Sequence, residues 1–268
     1  MRQSRIASWA AAALLVSGGL TAAAPAQAVP RSEGAGYVAL GDSYSAGVGA
    51  GAYLGSSGNC LRSSHAYPAL WAAEHAPSSF GFTACDGARA TDVLTDQLGP
   101  LGAGTTLVTL TVGGSDAGFG RVMTTCVLLG SSACRTAVAD ANAYMDETLP
   151  PDLDRLYTAI SDRAPAAHVV VLGYPYLYKL NGLCTAGLTD SDRAAIDDAV
   201  DHLDSVIHRR AARHGFTFAD VRGAFSDHEI CSGSPWMRSV NLLAPNESYH
   251  PTPLGQSHGY LPVLTTAA

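Results

Sequence analysis

At 268 residues, 47% of them hydrophobic and only 15% charged against ~25% in ordinary soluble domains, the chain can bury a large core within one α/β domain and is too apolar to be disordered. Its formal net charge of -7 disfavours nucleic acid and anionic membrane as electrostatic partners.

The first residues carry Arg2 and Arg5, an apolar run from Ile6 to Val16 and an Ala26-Gln27-Ala28 site before Val29, the layout of a secretory signal peptide. The expected mature protein is residues 29–268, one exported domain with 14 basic against 23 acidic residues once Arg2 and Arg5 are gone. The apolar run is too short to span a bilayer, and no later segment approaches ~20 uninterrupted apolar residues. In an exported chain Cys60, Cys85, Cys126, Cys134, Cys184 and Cys231 favour disulfides over a metal or redox pair, and none of them forms C-x-x-C. Six cysteines allow roughly fifteen pairings. The sequential set 60–85, 126–134 and 184–231 is the simplest, closing short or moderate loops.

Tyr37 to Leu40 reads as a strand ending at Gly41-Asp42-Ser43-Tyr44-Ser45-Ala46-Gly47. A hydroxyl just past a strand, flanked by Gly41 and followed by amides able to open a helix, has the exposure, space and N–H donors that a nucleophile needs. Ser43 is therefore the candidate nucleophile, against the alternative of a plain Gly/Ser turn. Gly47-Val48-Gly49-Ala50-Gly51 lacks the Lys-Ser/Thr of a phosphate loop and is expected to be a flexible loop. A short helix is expected over residues 65–75, with His65 and His75 at surface or capping positions. The strand Ser79 to Ala84 then runs into Cys85-Asp86-Gly87-Ala88-Arg89, and the strand Thr105 to Val112 into Gly113-Gly114-Ser115-Asp116. In parallel α/β sheets the ligand crevice lies at the carboxyl ends of the strands, so Ser43, Gly87 and Ser115 converge if these strands are parallel.

Cys126 to Cys134 is expected to form a small stapled loop and Thr136 to Leu149 a weak helix. Pro150 and Pro151 open a clearer helix, with Leu153, Leu156, Tyr157 and Ile160 on one face. His168 to Leu172 reads as a strand buried on both faces. Ile196, Val200, Leu203 and Ile207 fall at helical spacing between Thr189 and His214, with Gly215 as the stop. The aspartates of this helix, with His202 and His208, are expected on a solvated face rather than around a metal. After a short strand at Phe216 to Val221, the loop Glu247-Ser248-Tyr249-His250-Pro251-Thr252 leads into a last helix. His250 is the candidate general base, and Glu247, one turn away, is placed to orient its imidazole.

Gly41-Asp42-Ser43, Gly87, Gly113-Gly114-Ser115-Asp116 and Glu247 to His250 resemble, in order, the nucleophile, oxyanion-glycine, G-x-N-D and D-x-x-H blocks of the GDSL or SGNH hydrolases. The resemblance runs from about Tyr37 through Pro262 and is in particular to the secreted actinobacterial lipases and esterases. It implies a flavodoxin-like, three-layer α/β/α sandwich with a mainly parallel sheet of about five strands, three disulfides, and serine ester hydrolysis without cofactor or metal. It also implies that the N–H groups of Ser43 and Gly87 meet the oxyanion. Two departures stand out: Ser115 replaces the family's oxyanion-hole asparagine, and Glu247 its aspartate. In related secreted members a backbone carbonyl two residues before the histidine does the orienting, which here is that of Ser248. The expected function is a secreted, extracellular and monomeric carboxylic-ester hydrolase acting on acylglycerols or phospholipid acyl chains through an acyl-enzyme on Ser43. The alternatives are deacetylation of polysaccharide, or a non-catalytic binder of lipid or glycan with a weakened oxyanion hole.

Overall fold

Five stretches rich in β-branched and aromatic residues become the strands β1 (Gly36–Gly41), β2 (Ser79–Phe82), β3 (Thr105–Thr111), β4 (His168–Leu172) and β5 (Thr217–Ala219). The computed structural model describes residues 36–185 and 187–268; the expected signal peptide and its cleavage site lie outside them. All strand pairs are parallel, in the order β2-β1-β3-β4-β5. Every residue of β1 is buried, as befits a central strand covered on both faces.

The helices are α1 (Ser43–Ala46), α2 (Tyr67–His75), α3 (Ala90–Asp92) running into a π turn at Val93–Gln97, α4 (Phe119–Glu147), α5 (Leu149–Arg163), α6 (Asp190–Arg213) and α7 (Leu261–Ala267). α2 packs on β2 and α7, and α7 on β4 and β5; α6 packs on β4 and β5 with α4 and α5 beside it. This is the α/β/α arrangement with a five-stranded parallel sheet. Chain order reverses between the neighbours β1 and β3, and the loops leaving their carboxyl ends diverge there into a crevice.

Three local expectations need correction. Cys126 to Cys134 is not a loop: both cysteines lie within α4, which breaks at Gly130 (φ 77°, ψ 176°), and their disulfide straddles the break. A glycine permits the left-handed turn without ending the helix, because Val122, Met123, Val138, Ala141 and Met145 keep both halves of α4 in the core. By length and composition α4 is apolar enough to cross a membrane, but it is broken, cross-linked and packed on α5 and α6. Second, the aspartates of α6 do not all face solvent. Asp192, Asp197 and Asp204 are buried, and Asp197 and Asp204 accept the backbone N–H groups of Leu177, Tyr178 and Tyr174 in the segment after β4. Third, Gly47 to Ala50 is buried rather than a loose loop.

The cysteines pair as Cys60–Cys85, Cys126–Cys134 and Cys184–Cys231. His75 caps its own helix through Trp71 O, and His202 pairs with Asp146 at 3.0 Å. Among the described residues no cluster of His, Cys, Asp and Glu could hold a metal.

Candidate active site

Ser43 is the first residue of α1, immediately after β1, and Asp42 is its N-cap, with Oδ1 accepting Tyr44 N–H at 3.0 Å. Gly41 (φ 116°) makes the sharp exit from the strand possible; a Cβ there would lie 2.3 Å from Thr111 O. Gln97 clamps this exit, its amide accepting from Gly41 N–H and donating to Gly41 O at 2.7 and 2.9 Å. The turn therefore presents the Ser43 hydroxyl at the crevice floor with helix N–H groups behind it.

His250 arrives from the other end of the chain. Its Nε2 lies 2.7 Å from Ser43 Oγ, and its Nδ1 lies 2.9 Å from the backbone oxygen of Ser248. With Nδ1–H donating to that carbonyl, Nε2 is the unprotonated nitrogen and accepts from the serine hydroxyl. The loop is held in this pose by three contacts. Tyr44 OH donates to Tyr249 O at 2.7 Å, Arg238 N–H to His250 O at 2.8 Å, and Ser248 Oγ accepts from Asn241 N–H at 2.8 Å. Tyr249 itself is in the left-handed region (φ 64°), a conformation costing a non-glycine residue about 1–2 kcal/mol. The glycine loop packs directly behind: a Cβ on Gly49 would sit 2.9 Å from His250 Cβ. Burial lowers the His250 pKa from 6.5 to about 4, against the upward pull of the Ser248 carbonyl and the Glu247 charge, so the imidazole is neutral at ordinary pH.

The Glu247 carboxylate is engaged elsewhere. It accepts from Tyr53 OH at 2.7 Å and lies 3.6 Å from Arg238 Nε, while the Nδ1 partner of His250 is the Ser248 carbonyl.

Ser43, Gly87, Ser115 and His250 line one open cleft of about 440 Å³, together with Phe119, Met123, Val127 and Leu128 of α4 and the loop at residues 240–249. Gly87 (φ 72°) has open space where a Cβ would be. The Asp86 carboxyl is within reach of the Gly87 N–H, which offsets part of the rise in its pKa caused by burial.

Sequence reasoning missed the groups that tie these loops to one another. Asp42 also accepts from Thr111 Oγ1 at 2.6 Å and from Tyr174 OH, and the same Tyr174 oxygen accepts Gly114 N–H at 3.1 Å. Asp116 accepts Ala90 N–H through both carboxylate oxygens, at 3.0 and 3.1 Å, joining the Ser115 loop to the Gly87 loop. Burial raises both Asp42 and Asp116 to about 6 despite these donors. Asp42 carried a readable signal, an aspartate one residue ahead of a helix start. Tyr174, 132 residues away, carried none.

The GDSL-like Lipase/Acylhydrolase family matches residues 39–258. Lipase 1 of Streptomyces coelicolor is 58% identical over 100% of both chains. The crystal structure of an extracellular lipase from Streptomyces rimosus superposes with a TM-score of 0.85 at 58% identity, covering 87% of this chain and 100% of that one. Phospholipase A1 from Streptomyces albidoflavus NA297 does so with a TM-score of 0.85 at 57% identity, covering 88% and 100%. With the family spanning the crevice loops from β1 to the segment before α7, and a relative alike along its whole length, the chain belongs to the GDSL-like lipase/acylhydrolase family.

Proposed function

We propose that this chain is an exported carboxylic-ester hydrolase of lipids, working through an acyl-enzyme on Ser43 with His250 as the base. The observation that carries the reading is the Ser43 Oγ to His250 Nε2 contact of 2.7 Å, made by a neutral imidazole whose other nitrogen is already committed to a carbonyl. His250 takes the serine proton as Ser43 attacks the ester carbonyl, and then gives it to the departing alcohol oxygen. Water, deprotonated by the same nitrogen, releases the acid. The N–H of Ser43 and that of Gly87, once turned from Asp86, receive the oxyanion, with the Ser115 hydroxyl beside them. The Ser248 carbonyl orients the imidazole and stabilises its cationic form.

The activities for which the relatives are named, lipase and phospholipase A1, favour acyl esters of lipids over acetylated glycans. Export is supported by the three disulfides and by the extracellular relative from Streptomyces rimosus. We place the mature domain at residues 29–268. The test is a panel of aryl, acylglycerol, phospholipid and acetylated-glycan esters, run on the wild type, Ser43→Ala, His250→Ala and the double variant. Each single change is expected to bring lipid-ester hydrolysis to a similar residual level, and the double change to cost little more, because the pair acts as one unit. Near wild-type turnover in both single variants would refute the assignment.

A further inference from the structure

Behind the cleft lies a second space, a cavity of about 70 Å³ between α4 and α6. Met123, Val138, Ala141 and Met145 of α4 and Ala199 and Val200 of α6 form its walls. It meets the cleft at Ser43, Ser115, Phe119 and Met123, which line both spaces. His250, Asp86, Asn241 and Ser248 line the cleft and not the cavity. Of the polar groups behind this mouth, Asp42 and Tyr174 are hydrogen-bonded to each other, and the Tyr44 hydroxyl donates to Tyr249 O.

This asymmetry assigns the two halves of an ester. The leaving oxygen must collect its proton from His250 Nε2, so the alcohol half has to lie on the His250 side, in the open cleft with its polar rim. The acyl half then faces away from His250, past Ser115 at the mouth, toward a mostly apolar space whose inner polar groups, Asp42, Tyr174 and Tyr44, are already hydrogen-bonded. We propose that this cavity is the acyl site, taking the first carbons of the acyl chain while the cleft takes the alcohol or head group. The proposal rests on the ester-hydrolase reading above and specifies which part of the substrate goes where.

The volume sets a length. An apolar cavity of ~150 Å³ takes up a benzene, so half that space accommodates about three carbons beyond the carbonyl. Longer chains must displace Met123 and Met145, unbranched side chains suited to yielding. Burying each added methylene should raise kcat/KM about fourfold, so a butyryl ester should exceed an acetyl ester by about sixteenfold.

Two matched series test this: one alcohol with acyl groups from acetyl to dodecanoyl, and one acetyl group with alcohols of increasing length. In Ala141→Leu and Ala199→Leu, which fill the cavity from either wall, the butyryl-to-acetyl ratio is expected to fall below about three, with the alcohol series keeping its wild-type slope. Val200→Ala, which enlarges the cavity, is expected to carry the rise one or two carbons further. Melting curves accompany all three. A filled variant that keeps the wild-type acyl ratio, or that loses selectivity in the alcohol series instead, overturns the assignment. If both leucine variants fail to fold, an unshifted acyl dependence in Val200→Ala overturns it as well. A wild type that hydrolyses esters with no acyl dependence refutes the cavity alone, whereas one that hydrolyses no ester refutes the proposed function and this assignment with it.

Discussion

Tyr44→Phe removes a single oxygen atom from the protein, and the structure says what that oxygen does. The phenol donates at 2.7 Å to the carbonyl of Tyr249, a buried residue held at φ 64° next to His250. Losing the donor leaves a buried carbonyl unsatisfied, which costs about 1–3 kcal/mol. For a domain of this size each kcal/mol lowers Tm by ~2–4 °C, so a drop of about 2–12 °C is expected. The phenyl ring keeps its place in the apolar wall, but Tyr249 is freed to relax toward the ordinary region, and it carries His250 with it. A misplacement of ~1 Å can cost ~10² in rate, so kcat should fall about 10- to 100-fold while KM stays within about twofold. Steady-state kinetics on one soluble ester, with melting curves on the same samples, separate these effects. A variant that melts several degrees lower yet keeps kcat within twofold would show that the loop pose does not depend on this bond, and the reasoning would fail.

Glu247→Gln keeps an acceptor for Tyr53 OH and leaves the Ser248 carbonyl on Nδ1, so turnover should fall by less than about tenfold, or ~1.4 kcal/mol; a loss of several thousandfold in a folded variant would instead establish a Ser-His-Glu triad. Ser115→Ala should cost less than the ~2.7–4 kcal/mol typical of a direct oxyanion donor, since the two backbone N–H groups remain, and a stable variant a thousandfold slower would show that the hydroxyl donates directly. Because burial lowers His250 to about 4, the acid limb of kcat/KM should lie below the ordinary 6.5, and a limb at or above that value in a pH profile would contradict the buried, neutral imidazole. Stability should run the other way from habit: Asp197 and Asp204 are raised to about 7 and about 8 in the folded state, so their contribution is complete below the unfolded value of 3.8 and is lost as pH rises through 7 and 8. His250 opposes this only between 6.5 and 4, so Tm should be higher at about pH 6 than at about pH 9, and Asp204→Asn should narrow the difference; a Tm that climbs across that range would refute the assignment.

What was legible in the sequence was whatever chemistry writes locally. Each strand announced itself as a short apolar run, and each crevice loop followed such a run with glycine and a polar residue, so Ser43, Gly87 and Ser115 could be placed together before any contact was known. His250 was found by residue type and by its block, although 207 positions separate it from Ser43. The illegible part is long-range and mostly polar. A charged residue in a helix is ordinarily solvated, so nothing in the α6 pattern marked Asp197 and Asp204 as the acceptors that fasten the segment after β4. Tyr174 and Gln97 look like unremarkable residues after a strand and inside a turn until folding sets them against Asp42 and Gly41. The loop expected over Cys126 to Cys134 is instead helix, because the apolar face continues past Gly130 and keeps both halves of α4 in the core while the disulfide spans the break.

The partner of the His250 Nδ1 is a carbonyl, a group that every residue type carries. No codon change at position 248 can delete it, so the burden of heredity shifts from the residue that makes the bond to the residues that set the shape of the backbone. Lineages are then free to drift at position 248 and at Glu247, provided that something still ties the loop to Asn241, while Tyr44, whose hydroxyl holds the Tyr249 carbonyl, becomes the position where variation is costly. A mutational scan would record a tolerant residue in contact with the base and an intolerant one a layer behind it, the reverse of the pattern left by a catalytic aspartate.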